Sequence, residues 1–317
     1  MELGTVALHA ISWPSSVLRL ARFYRRQTYQ FKYTAQIHNR TTQAQFVTVV
    51  MPLPLQQQYQ ETLEPVLFSV SPTEQGVDQH KNQYAVWQLE LKPRHSYAIT
   101  ETGKVVVAPR RVRMPYYAID DYQSIAMRLD EYENSFIDAH DPRILDIAKR
   151  ITSTSSRVDD IIRACNAHVT NMLKYGDPIT GLYSSRQALE LERVDCGGFD
   201  TLLCALCIAC GIPARVVAGF WAGYAKNGMH AWAEIMLPNQ QWVPADPSMQ
   251  YLRRRLATHK SGSLAFVGSD RIAFSQGNGN RIRFRNQEWF IDILQTPAFL
   301  DPIRGVDIEY HFETSHA

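Results

Sequence analysis

The stretch DCGGFDTLLCALCIACGIPARVVAGF, Asp195 to Phe220, decides the fold. From Phe199 to Cys210 it is mostly apolar, and Gly211, Ile212 and Pro213 stop the run. A Gly just past the last apolar residue, with Pro two positions on, marks a helix C-terminus. The segment therefore reads as a buried helix with Cys196 at or near its N-terminus. Unpaired amide N–H groups and the helix dipole favour an anion there. The thiol pKa is expected to fall, which makes Cys196 a candidate nucleophile. Gly197 and Gly198 leave room for a substrate or another backbone to approach.

The next informative piece is MHAWAEIML, Met229 to Leu237. Its alternation predicts a strand with His230, Trp232, Glu234 and Met236 on one face and Ala231, Ala233, Ile235 and Leu237 on the other. Pro238–Gln241 reads as a turn, and Trp242–Pro244 starts the return strand, which runs into Asp246. A hairpin of that length brings His230 and Asp246 within carboxylate–imidazole range. Cys196, His230 and Asp246 are then a nucleophile, a base and an orienting acid, in that chain order.

Working outward, helical signals begin at Asp141-Pro142, with Asp141 as cap and Pro142 in the first turn. A second helix is predicted with Val158 to Met172 on its apolar face, stopping near Tyr175-Gly176, and a short one over Arg186–Leu191. Ahead of them, Gln27–Ile37, Gln45–Met51, Tyr84–Leu91 and His95–Val107 read as short strands, split by Pro, Gly and Asn clusters as in an antiparallel β-sandwich. Residues 281–312 read as strands again. The expected organisation is a β-sandwich over 1–109, a connector over 110–140 and a core over 141–317.

Composition narrows the function classes. The chain has 317 residues, 45% hydrophobic and 20% charged, which excludes disorder along its length. Its net charge of +2 gives no general pull toward nucleic acid or membrane. The longest uncharged apolar run, Leu202–Ala214, falls short of the roughly 20 residues a spanning helix needs. The first ten residues, MELGTVALHA, lack the charge and apolar pattern of a signal peptide. Four of the five cysteines fall between Cys196 and Cys210, which is no disulfide framework. A reducing, cytoplasmic setting is expected. Cys204, Cys207 and Cys210 read as small core residues rather than metal ligands, so neither a metal nor another cofactor is expected.

Val194–Ser248 resembles the transglutaminase-like superfamily, the papain-related group of transglutaminases, peptide N-glycanases and many microbial proteases. The likeness rests on the Cys-initiated helix with GIPARVVAGF, then MHAWAEIML, then WVPADPS. The N-terminal β region is similar to the sandwich that often precedes this core in bacterial members. One lead-in departs: Glu192–Asp195 stands where many members carry Gly-x-Gly-x before the cysteine. The resemblance implies an α+β fold with a papain-like transglutaminase-type core, Cys196 as nucleophile, His230 as base and Asp246 as third member. It implies an oxyanion site built from the nucleophile's own N–H and an upstream side chain, for which Tyr175 and Tyr183 are the candidates.

Trp232, Trp221 and Tyr224 are candidates for the walls of a substrate cleft, and Arg215 for a pairing with Asp195 or Asp200. The expected activity is that of a cysteine peptidase or amidase acting on a protein or peptide through an acyl-thioester. The alternatives are a protein-glutamine gamma-glutamyltransferase with an amine acceptor, or a non-catalytic peptide-binding scaffold.

Overall fold

The structure, a computed structural model, describes residues 22–124, 129–179 and 181–317. The N-terminal decapeptide read above for targeting lies outside them.

The first strands among the described residues are β1 (Gln27–Asn39), β2 (Gln45–Pro52), β3 (Gln60–Thr62), β4 (Leu67–Phe68), β5 (Glu74–Val77), β6 (Gln83–Leu91) and β7 (Ser96–Val107). β8 (Arg110–Arg111) follows, and then helices α1 (Pro142–Thr152) and α2 (Val158–Met172). The Asp141 carboxylate accepts from the Arg143 N–H, which is the predicted cap. β9 (Lys174–Tyr175), α3 (Ser185–Leu191) and β10 (Arg193–Val194) lead into α4 (Cys196–Ala209). Beyond it run β11 (Ala214–Trp221), β12 (Met229–Met236), β13 (Trp242–Ala245), α5 (Pro247–Arg254), β14 (Phe266–Val267) and β15 (Arg271–Gln276). The last strands are β16 (Asn280–Phe284), β17 (Gln287–Ile291), β18 (Ala298–Phe299) and β19 (Val306–His316). The fold is α+β, as expected.

Two antiparallel sheets organise the N-terminal part. One has the order β19-β1-β7-β3, with β4 also on β7, and the other β18-β2-β6-β5. Alternate residues of both, including Tyr29, Phe31 and Tyr33 from β1, Val47 and Val49 from β2 and Trp87 from β6, share one apolar cluster. The sheets use the end of the chain as well as its beginning. β19 pairs with β1 from Asn39↔Val306 to Tyr29↔His316, and β18 pairs with β2. Val306–His316 therefore lies in the first sheet, outside the core to which its position after residue 141 had assigned it. Period-2 patterning sets which face of a strand is buried but not which strand it joins.

The core is a sheet of order β13-β12-β11-β15 with helices on one side. Ala231, Ala233, Ile235 and Leu237 enter the helical cluster with Phe199, Leu202, Leu203 and Leu206 of α4. The opposite face is covered too. Phe220, Ile272 and Phe274 join the cluster of the N-terminal sheets, and Trp232 packs with Leu55, Val217, Val267 and Ala273. The sheet is thus a wall shared by both halves, which is why β12 is buried almost throughout.

Candidate active site

Asp246 shows how the site is built. It ends β13 and caps α5, its Oδ1 accepting from the Met249 N–H at 2.9 Å and the Ser248 hydroxyl at 3.1 Å. Its other oxygen, Oδ2, accepts from His230 Nε2 at 2.8 Å and from Arg271 Nη1 at 2.6 Å. Four hydrogen bonds on one fully buried carboxylate leave it no rotamer freedom. Burial alone would raise its pKa, but His230 and Arg271 hold it well below the usual carboxylate range. With Asp246 ionised, Nε2 of His230 carries the proton and Nδ1 presents its lone pair. Gly262 completes the packing. Its φ is +134°, and a Cβ there would come within 2.5 Å of Asp246 Oδ2, so only glycine fits.

His230 is itself buried, and desolvation lowers its pKa despite the attraction of Asp246. Trp221 stacks on the imidazole with ring centroids 4.0 Å apart and an interplanar angle of 22°. The ring is thus held by a carboxylate at its edge and an indole on its face. The turn between β12 and β13 closes as the residue count requires, with the Leu237 N–H donating to Gln241 O.

Cys196 starts α4, where Asp195 caps the helix by accepting from the Gly197 N–H at 3.0 Å. Its sulfur lies against the backbone N–H of Ala231, the residue after His230, and within electrostatic reach of Asp246 and Lys260. The structure thus brings His230 onto Asp246 and sets Cys196 beside the same strand. Of the five cysteines, all unpaired, Cys196 alone is not buried.

The expected acidic thiol is not found. Burial of the sulfur, followed by Asp195, Asp200 and Asp246, pushes the Cys196 thiol up, and the Ala231 amide offsets only part of that. Asp195 and Asp200 flank Cys196 in the chain, so the charge on the cap opposes the dipole of the helix it caps. At rest the Cys196 thiol is therefore held protonated and the His230 imidazole is favoured in its neutral form.

Several other expectations change. Gly197 and Gly198 make room for the protein's own side chains, since a Cβ would meet Leu182 at 2.7 Å and Val194 at 2.5 Å respectively. The Tyr183 hydroxyl donates to Asp177 O at 2.7 Å, so it is not aimed at the sulfur. Tyr175 stands in β9, paired with β10 immediately before Asp195, and its ring packs on Phe199. Among the described residues no hydrogen bond engages its hydroxyl. Trp232 is a core side chain, 2% exposed, rather than an open cleft wall. Trp221 is likewise buried, and serves as the lid on His230. The half-buried Tyr224 gives its hydroxyl to Asp270 Oδ2 at 2.7 Å. Arg215 pairs with Glu234 at 2.6 Å, not with Asp195 or Asp200, because it lies opposite Glu234 in the β11–β12 register.

Sequence reasoning missed Arg271 and Lys260. Arg271 is 2% exposed, donates to Ser261 O as well as to Asp246, and lies beside Asp270. Lys260 Nζ sits 4.3 Å from the centre of the Trp221 ring. The available signal was Ser269-Asp270-Arg271 at the head of an apolar strand, where charged residues are costly unless paired. No group of three or more His, Cys, Asp or Glu fit to hold a metal occurs among the described residues.

Comparison with known proteins agrees with the fold. The profile of the transglutaminase-like superfamily matches residues 145–247, which takes in Cys196, His230 and Asp246. This chain contains a transglutaminase-like core. Over 162 residues, 42% of the chain, it is 23% identical to the Bacillus subtilis protein YebA, which is uncharacterized. Over 95 residues, 27% of the chain, it is 33% identical to a protein-glutamine gamma-glutamyltransferase of Pseudomonas aeruginosa. These matches span 22% and 14% of the two relatives. A solved Cytophaga hutchinsonii structure, named as a candidate cysteine protease, superposes with a TM-score of 0.57 at 13% identity. It covers 90% of this chain and 92% of its own, a likeness of fold.

Proposed function

We propose that the protein is a thiol enzyme that cleaves amide bonds of proteins or peptides through an acyl-thioester on Cys196. The observation that carries this reading is the His230–Asp246 bond through Nε2, which leaves Nδ1 as the imidazole's proton acceptor. Nδ1 takes the thiol proton as sulfur attacks the carbonyl carbon, so thiolate forms only as it reacts. The tetrahedral oxyanion is met by the backbone N–H of Cys196 itself, with the Tyr175 hydroxyl as side-chain donor. The imidazolium protonates the leaving nitrogen, and the C–N bond breaks. Water, deprotonated by the same Nδ1, then attacks the thioester, and sulfur leaves and regains its proton. Five unpaired thiols support a reducing, cytoplasmic location.

Incubation with a peptide library, with and without a primary amine, tests the reading by product mass. Addition of water is expected, and Cys196→Ala should abolish it with the fold intact. Addition of the amine would make the protein a transferase. No change in mass, with Cys196 labelled by a thiol probe no faster than Cys165, would leave a peptide-binding scaffold. Tyr175→Phe should slow acylation, roughly 100-fold if its hydroxyl meets the oxyanion.

A further inference from the structure

A cavity of about 800 Å³ lies where the N-terminal sheets, the connector and the core meet. That size falls in the range of about 300–1,000 Å³ usual for ligand sites. Tyr59 and Lys81 line it from the first part, Arg110 and Arg111 from β8, and Arg215 and Trp242 from the core. Among the described lining residues there is no Asp or Glu.

We propose that this cavity binds an acidic peptide segment, at a site separate from Cys196. Its basic groups are held in place before any ligand arrives. Glu234, fully buried behind Arg110 and Arg215, ion-pairs with both and accepts from the Tyr59 hydroxyl at 2.7 Å. The Arg110 guanidinium lies 3.7 Å from the Tyr59 ring centre and donates to Trp242 O at 2.8 Å. Arg215 lies 3.8 Å from the Trp242 ring centre. Guanidinium groups fixed on aromatic faces lose little freedom on meeting a carboxylate and match it in a two-pronged bond. One carboxylate, Glu234, does not neutralise Arg110 and Arg215 together with Lys81 and Arg111.

The remaining polar groups favour a peptide over a bare anion. Gln57 and His80 line the cavity, and Gln57 Oε1 and His80 Nε2 are buried without a hydrogen-bond partner among the described residues. Buried polar atoms left unmatched are costly, and a partner that supplies them removes the cost. Gln57 Nε2 is committed to Gln276 Oε1 at 2.6 Å. Further glutamine amides on the rim, among them Gln79 and Gln241, offer both donors and acceptors, as a peptide backbone requires. Glu234 follows His230 by four residues on β12, roughly 13 Å along the strand. Trp232 is buried between them, so the cavity is not an extension of the reactive centre.

The test uses the full chain as Cys196→Ala and reads fluorescence anisotropy of labelled hexaglutamate, with hexaglutamine and inorganic phosphate as controls. Binding is measured without turnover, so the result stands whether or not Cys196 is catalytic. Saturable binding of hexaglutamate, weakened by salt, is expected. The double variant Lys81→Asn, Arg111→Gln should weaken it roughly tenfold or more while leaving the melting temperature unchanged. Both side chains are exposed, and Asn suits the positive φ of 66° at position 81. Hexaglutamate binding no tighter than hexaglutamine, binding indifferent to the double variant, or phosphate binding as tightly as the peptide would each overturn the proposal.

Discussion

On the sheet side of the site, Asp246 and Glu234 are both completely buried, and each is held by arginine: Arg271 for the first, Arg110 and Arg215 for the second. On the helix side, Asp200 stands one turn past Cys196, equally buried, and neither carboxylate oxygen has a hydrogen-bond partner among the described residues. Glu101 in β7 repeats the second condition inside the N-terminal sheets. Desolvation raises the pKa of Asp200 and Glu101 well above the ordinary range, whereas cations outweigh desolvation at Asp246 and Glu234. Depth is the same in all four, so it is the neighbouring cation that decides the charge. Negative charge is favoured where it can orient His230 or hold arginines, and disfavoured at Asp200 and Glu101.

The largest effect should come from taking the cation away. Arg271→Met leaves Asp246 buried and uncompensated, and should cost about 3–5 kcal/mol in urea unfolding. A loss below about 1 kcal/mol would mean that Asp246 does not depend on its cation, and the contrast with Asp200 would fail.

Glu234 gives the next effect, through pH. Burial would raise its carboxyl, but Arg110, Arg215 and Tyr59 bring it from 4.5 down to about 2. A depressed native pKa contributes stability above the unfolded pKa, lost as pH falls through the native one. Roughly 3 kcal/mol should therefore disappear between about pH 4.5 and 2, and Glu234→Gln should remove that share of the acid dependence. Unfolding curves with equal acid slopes in variant and wild type would show that Glu234 is not held ionised.

Glu101 and Asp200 sharpen the other half of the contrast. Glu101→Met removes an unmatched carboxyl and should stabilise by about 1–3 kcal/mol at neutral pH. A loss of stability would reveal a partner for the native side chain. Asp200→Asn should act least. With a raised native pKa, the stability contributed by protonated Asp200 is present below the unfolded pKa and lost as pH rises through the native one. The variant should match wild type near pH 4 and gain on it toward pH 8. Its Cys196 alkylation profile should stay close to that of wild type if Asp200 is neutral, and shift to lower pH if Asp200 is charged.

How far the sequence could be read depends on how far each contact reaches. β1, β2, β6 and β7 lie within about two residues of their expected bounds, because Pro and Gly punctuation and alternation are local. α4 was legible for the same reason, from Cys196 to the stop at Gly211 and Pro213. His230 and Asp246 could be paired because one turn separates them. Arg271 could not, since it reaches Asp246 from 25 residues away on a strand that β11 separates from β12. The thiol failed differently. A helix N-terminus is visible in sequence, but the crowding of the sulfur and the approach of Asp246 to it are products of the assembled core.

The pairing of Tyr29 with His316 places nearly the length of the chain between two neighbouring strands. Contacts so distant in sequence form slowly, because a long loop must close before they repay its entropy. During synthesis β1 leaves the ribosome early, and one of its edges stays open until β19 follows. That open edge invites mispairing with another nascent chain. The core between them, with its hairpin and local helices, has time to organise first. Maturation of the fold is thus expected to be gated by its final strand, and a pulse-labelled hydrogen-exchange experiment should see β1 amides protected after those of α4.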